Sequence, residues 1–210
     1  MTTRIKYPRT PHLPWSPGST NDDRFIEDTS FFEGQEIVVT EKRDGENTTI
    51  YRDGVHARSL DSKRHASRSW VASLQAKIGH RMDEDLRICG ENLFAKHSIH
   101  YDNLYSYFEV FGVTLGDLVL SWDATVRWCR QFDLATVPVL YQGPWDGQRF
   151  LDEMYSSYSK TREMEGYVVR LSGSFPESEF ATSVAKYVRK GHVTTSSHWM
   201  SEKLVRNSLG

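Results

Sequence analysis

Two β-branched runs punctuated by glycine turns fill the stretch 36–59, and they constrain the fold more than any other feature of the chain. Ile37-Val38-Val39 forms the first run and Thr48-Thr49-Ile50-Tyr51 the second. Asp44-Gly45 lies between them, Asp53-Gly54 follows, and the residues from Val55 to Ser59 alternate like a third strand. Runs of this length bounded by Asp-Gly pairs read as strands joined by tight turns. Strand character returns at 86–89, 104–113, 166–171 and 184–190. Helical spacing is rarer. Trp70, Leu74 and Ile78 make one apolar stripe in a helix predicted over 65–80. Trp122, Val126 and Cys129 make another over 121–131, with Ser121 as N-cap. A third helix is expected over 148–158, and a last one capped by Ser196 or Ser197. The order predicts an α+β fold of mainly antiparallel sheets flanked by helices.

The chain has 210 residues, 38% of them hydrophobic and 12% aromatic, enough for a real core. No repeat or linker divides it, so residues 1–210 are expected to form a single domain. Residues 1–20 should be an extended segment, because they carry four of the seven prolines (Pro8, Pro11, Pro14 and Pro17) together with Gly18. Proline removes amide donors and pushes its predecessor out of the helical region. His12, Leu13 and Trp15 predict that this segment packs against the body. No apolar run approaches the roughly 20 residues of a membrane span, and no signal-peptide order opens the chain. Cys89 and Cys129 form neither a CxxC motif nor a disulfide framework. A cytoplasmic protein without a membrane partner is expected. The net charge of −2 does not exclude a nucleic-acid partner, because binding depends on local basic surface. Arg58, Lys63, Arg64 and Arg68 form one basic cluster, and Lys186, Arg189 and Lys190 another.

The chemistry concentrates in Glu41-Lys42-Arg43-Asp44-Gly45-Glu46-Asn47, a lysine between two strands ringed by carboxylates and followed by a glycine turn. One reading is a solvated surface hairpin; the other is a nucleophilic lysine at the mouth of a cleft. A free lysine titrates near 10.4, so attack near neutral pH needs a fall of about three units, roughly 4 kcal/mol, or proton removal on substrate binding. Four further segments follow in order. Arg87-Ile88-Cys89-Gly90-Glu91-Asn92 sets a glutamate at a strand end, and 106–113 is an aromatic strand containing Phe108. Met164-Glu165-Gly166 sets another glutamate before a strand, and Val184-Ala185-Lys186-Tyr187-Val188-Arg189-Lys190 ends in basic residues. The eight histidines show no zinc spacing, His97 and His100 included. Gly191-His192-Val193-Thr194-Thr195 directly follows the last strand and is a candidate for substrate contact.

Together and in this order, these segments resemble the covalent nucleotidyltransferases, which include polynucleotide ligases and mRNA capping enzymes. The resemblance is closest to the RNA ligases that seal nicks in duplex RNA, and it spans Glu41 to Lys190. It implies a ligase adenylation domain using ATP and Mg²⁺ or Mn²⁺. Through a lysyl-AMP intermediate such a domain joins 5′-phosphate and 3′-hydroxyl RNA ends, an activity suited to RNA repair. By this resemblance Lys42 is the nucleophile, and Asp44, Gly45 and Asn47 complete its motif, with Glu41 at the adenosine pocket. Arg58 lies near the phosphates, Glu91 bonds the ribose and Phe108 stacks on adenine. Glu165 is the carboxylate at the metal and the lysine, and Lys186 reaches the α-phosphate. An inactive nucleotide- or RNA-binding module of the same fold, or a transferase using another nucleotide or a DNA acceptor, are the alternatives.

Two departures from the family pattern matter. The position two after Lys186 is Val188 where the family has a second lysine, and strand periodicity makes Lys190 the next cation on that face. Only 20 residues follow Lys190, too few for the OB-fold of DNA ligases or the helical domain of many RNA ligases. The expectation is a bare catalytic domain without an OB-fold, with an accessory protein as a candidate partner.

Overall fold

Alternation along the strands decides which side chains meet a ligand and which meet the core. The computed structural model describes residues 2–18, 23–60, 65–192 and 204–210. In chain order the strands are β1 (Glu36–Lys42), β2 (Glu46–Tyr51), β3 (Gly54–Ala57), β4 (Leu86–Asn92), β5 (Phe108–Leu115), β6 (Leu118–Val119), β7 (Ala135–Thr136), β8 (Val139–Pro144), β9 (Gly166–Leu171), β10 (Phe175–Pro176) and β11 (Val184–Val188). The α-helices are α1 (Ser69–Ile78), α2 (Trp122–Phe132) and α3 (Gly147–Ser159). One sheet has the order β11-β9-β1-β8; the other runs β10-β6-β5-β4-β2-β3, with β7 beside β5. Every pairing is antiparallel except β5 with β7. The α+β class with antiparallel sheets holds.

In the first sheet the odd residues Ile37, Val39, Tyr167, Val169 and Ala185 enter a core with Leu151 of α3 and Leu13 of the N-terminal segment. The even residues Thr40, Lys42, Val168, Arg170, Val184 and Lys186 therefore face the other way, into a cleft between the sheets. In the second sheet Ile50, Ile88, Phe108, Val110 and Val113 pack on α1 and α2. Helices thus cover both outer faces, and the inner faces are left for function.

The helices follow the sequence pattern closely. Ser121 caps α2 by accepting the Ala124 N–H at 3.2 Å, and Asp133 ends it in the left-handed region at φ 56°. The 104–113 strand begins only at Phe108, because the segment before it turns its hydrogen bonds to residues 204–210: Lys96 N–H reaches the Val205 carbonyl (2.8 Å) and Leu104 N–H the Ser208 carbonyl (3.0 Å). β8 was not legible because Val139–Pro144 ends in Gly-Pro, a turn signal. It pairs with β1 alone, and a sheet edge tolerates proline. The last helix expected, and the basic residues Lys63 and Arg64, lie outside the described residues. Among the described residues no helix is long and apolar enough to cross a membrane.

The N-terminal segment runs along β11. Lys186 N–H reaches the Pro11 carbonyl (2.9 Å), Leu13 N–H the Lys186 carbonyl (2.8 Å) and Gly18 N–H the Val188 carbonyl (2.9 Å). It therefore continues the sheet and carries Tyr7 to Thr10 into the cleft wall.

Candidate active site

The cleft between the sheets has a volume of ≈ 1030 Å³. Lys42 ends β1 on its floor with the side chain 25% exposed, and its Nζ lies 2.6 Å from Oε1 of Glu165. The β1–β9 register sets Lys42 opposite Gly166, which brings Glu165 beside the amine. A Cβ at Gly166 would overlap the Tyr187 carbonyl, so glycine permits β11 to close in here. Burial pulls the Lys42 ammonium down, but Glu165 and Glu91 outweigh it, and the amine is held above its ordinary value. The free protein therefore carries a charged Lys42.

Asp44 is buried and fully engaged. Its Oδ2 accepts the N–H groups of Ser98 (2.7 Å) and Ile99 (2.6 Å), while Oδ1 faces Nε2 of His192 at 3.2 Å. Burial raises its carboxyl, but the hydrogen bonds from His192 and Ile99 prevail and hold it below the usual range. Gly45 donates its N–H to Oε1 of Glu91 at 3.1 Å, and a Cβ there would sit 2.6 Å from the Asn92 carbonyl oxygen. Asn47 lines the cleft with a buried Oδ1 that has no hydrogen-bond partner among the described residues. Arg58 follows β3 and borders the cleft, its N–H bonded to the Asn47 carbonyl at 3.0 Å. Lys186 faces in from β11, 3.3 Å from Asp23. Burial, then Lys42, pull its ammonium down against Asp23.

Glu91 is pushed up to about 8 by burial, with Glu165 and Asp44 adding to the effect and Lys42 opposing it. The folded state therefore binds a proton that the unfolded chain releases near 4.5, and this contribution to stability is lost as pH rises from about 4.5 through about 8. Glu91→Gln should show a shallower loss of melting temperature between pH 5 and pH 9 than the parent. Parallel profiles would mean that Glu91 is already ionised.

Asp44, Glu165 and His192 each offer one donor atom, and the three atoms lie within 4.8 Å of one another, all on buried residues. Two carboxylate oxygens and an imidazole nitrogen suit a divalent cation of the Mg²⁺ or Mn²⁺ kind.

A lysine and a glutamate in contact on the floor of a cleft between antiparallel sheets is a feature that family comparison can test. The family model described as RNA ligase matches residues 35–188, most of the chain. The chain belongs to the RNA ligase family. Its fold is also that of solved RNA ligases from Naegleria gruberi. One, a point mutant with ATP and Mn, aligns with a TM-score of 0.58 and 18% identity over 79% of this chain and 53% of that one. Another, with pyrophosphate, aligns with the same score and identity over 89% of this chain and 61% of that one. The chain thus spans about half to three-fifths of the length of these ligases. No curated protein matches it.

For this RNA ligase family member the structure places two residues of the sequence reading, Phe108 and Lys190, away from the cleft. Phe108 does not reach the cleft: it is fully buried among Ile50, Val71 and Phe132, with its ring over Gly90. The register of β4 and β5 shifts between Cys89 and Gly90, leaving Phe111 as the extra residue, so inward-facing positions change parity there. Phe111 lines the cleft instead, edge-on to Tyr7 with centroids 5.1 Å apart. Lys190 is exposed and outside the cleft. β11 ends at Val188, and Arg189 is drawn aside to the Met164 carbonyl (3.0 Å) and Glu163 (2.6 Å), so strand alternation stops short of Lys190. Glu41 borders the cleft, but Arg43 (2.7 Å) and Arg162 (3.0 Å) already engage its carboxylate.

Sequence reasoning also missed contributors. Arg9 enters the cleft wall from the N-terminal segment, and no strand or helix pattern marks it. Asn207, only 2% exposed, donates to the carbonyls of Leu93 (2.8 Å) and Ala95 (3.3 Å) and accepts the Tyr101 N–H (2.9 Å). It thereby secures the segment whose Ser98 and Ile99 amides hold Asp44. The sequence offers no periodic signal for such a long-range clamp.

Proposed function

We propose that the chain is an ATP-dependent RNA ligase that joins 5′-phosphate and 3′-hydroxyl ends through Lys42-AMP. The observation that carries this reading is the Lys42–Glu165 pair, set in a cleft that also presents Lys186 and Arg58. In the first step the Lys42 ammonium loses one proton, its Nζ bonds to the α-phosphorus of ATP, the bond to pyrophosphate breaks and the new P–N nitrogen loses a second proton to solvent. Glu165, already against Nζ, is the nearest acceptor for the first proton. Lys186 and Arg58 face the space where charge builds on the phosphates and on departing pyrophosphate. A divalent cation held near Glu165 supplies charge neutralisation and favours the neutral amine. Phe111 and Tyr7 offer the aromatic wall for adenine, Glu91 an acceptor for ribose hydroxyls and the unpartnered Asn47 Oδ1 an acceptor for a ligand donor.

The AMP then passes to a 5′-phosphate end, breaking the P–N bond and forming a P–O–P link. A 3′-hydroxyl attacks that phosphate, forms the phosphodiester and releases AMP. The acceptor we favour is a nick in duplex RNA, which holds both ends in place. Sealing of a pre-adenylated strand on a duplex nick should exceed sealing of the same ends free in solution by at least ~10²-fold. Equal rates on both substrates would contradict the duplex assignment, and sealing of DNA ends alone would contradict the RNA assignment.

A further inference from the structure

The N-terminal segment does more than extend the first sheet. Residues 11–13 lie between β11 and residues 24–26. On one side they exchange backbone hydrogen bonds with Lys186; on the other, His12 N–H reaches the Arg24 carbonyl (2.6 Å) and Ile26 N–H the His12 carbonyl (2.9 Å). This double pairing sets His12 beside Lys186 and brings Asp23 to the lysine side chain. Asp23 Oδ1 lies 3.3 Å from Lys186 Nζ and 3.3 Å from Nε2 of His12. We infer that Asp23, buttressed by His12, is a positioning residue that holds the Lys186 ammonium in place for the α-phosphate of ATP. The inference rests on the reading of the cleft as an adenylation site, in which Asp23 itself touches no reacting atom.

Three observations carry it. First, Lys186 lines the cleft whereas Asp23 and His12 do not, so the carboxylate engages the ammonium from behind the wall and leaves its front to a ligand. Second, the support behind Asp23 is built. His12 is only 1% exposed, and its Nδ1 lies 2.7 Å from Ser16 Oγ. Ser16 Oγ in turn accepts the Val188 N–H at 2.9 Å, two residues along β11 from Lys186. The contacts thus form a ring that leaves β11 at Val188 and returns to it at Lys186. Within the ring His12 Nε2 meets Asp23 off the axis of a hydrogen bond, so this contact acts through charge and packing. Third, Lys186 needs a counter-charge: burial pulls its ammonium down, Asp23 opposes that, and Lys42 adds to the pull. A lysine is a point charge on a flexible stem, and a tether is what turns it into a fixed charge where phosphate charge builds.

The test is a double-mutant cycle in the full chain, read by single-turnover labelling with α-labelled ATP. Asp23→Asn keeps the shape of the side chain and removes its charge. It should slow adenylation at saturating ATP about 10- to 100-fold and leave the half-saturating ATP concentration nearly unchanged. In a Lys186→Ala background the same change should have no further effect, because Asp23 acts through the lysine. An Asp23→Asn protein that adenylates at the parent rate or faster would overturn the inference. So would an equal loss in both backgrounds, which is what a merely structural Asp23 would give. A second readout needs no nucleotide: acylation by limiting acetic anhydride, mapped by mass spectrometry, with the exposed Lys77 as reference amine. Lys186 should react about 10-fold faster in Asp23→Asn than in the parent, and an unchanged rate would overturn the inference. Asp23→Ser repeats both readouts with a smaller side chain, so a failure of Asp23→Asn to fold does not spare it. Failure of the ligase reading shows instead as a parent protein that ATP does not label, and the acylation result stands apart from it.

Discussion

Lys42→Ala is expected to abolish covalent adenylation, by at least ~10³-fold and to below detection in a labelling assay, with the circular dichroism of the parent retained. Among the described residues two lysines, Lys42 and Lys186, line the cleft, and their surroundings differ. Lys42 Nζ sits 2.6 Å from a carboxylate able to take its proton. Lys186 Nζ is 3.3 Å from Asp23, which in turn is 3.3 Å from Nε2 of His12 at the N-terminal side of the cleft. Lys186→Ala should therefore slow adenylation without removing the bond-forming atom. Label that persists in Lys42→Ala and vanishes in Lys186→Ala would exchange the two assignments.

The second large effect separates two phenylalanines three positions apart. Phe108→Ala empties a fully buried site between the sheet and its helices, and should cost about 3–5 kcal/mol of stability. For a chain of this size that is a fall in melting temperature of roughly 10 °C. Phe111→Ala removes a half-buried ring from the cleft wall and should leave the melting temperature within a few degrees. It should instead raise the KM for ATP about 10-fold, the scale of one lost base–aromatic stack, while sparing the sealing of a pre-adenylated strand. The opposite pattern, a nucleotide defect in Phe108→Ala and a stability defect in Phe111→Ala, would restore Phe108 as the residue that stacks on adenine.

These two residues show where sequence reading reaches and where it stops. β1, β2, β9 and the three helices were legible because periodicity and capping are local: Ser121 caps α2 as its sequence position predicts. The nucleophile motif was legible for the same reason, since Lys42, Asp44 and Gly45 occupy one strand end and its turn. Phe108 misled because the resemblance marks an aromatic on this strand but not which face the helices cover: α1 and α2 pack on the side of Phe108 and Val110, which leaves Phe111 toward the cleft. Lys190 misled because periodicity was carried past the end of β11. His192 was marked only by its place just after the last strand, and its contact with Asp44 is tertiary. Asn207 meets the segment that holds Asp44 only through tertiary contacts and carries no periodic or spacing signal.

Incubation with α-labelled ATP and a divalent cation, followed by denaturing electrophoresis and mass mapping of the labelled peptide, decides whether Lys42 becomes covalently joined to AMP. The expected result is one adenylate on Lys42, released as ATP by added pyrophosphate. Label on any other residue, or no label from ATP with folded protein, would overturn the assignment.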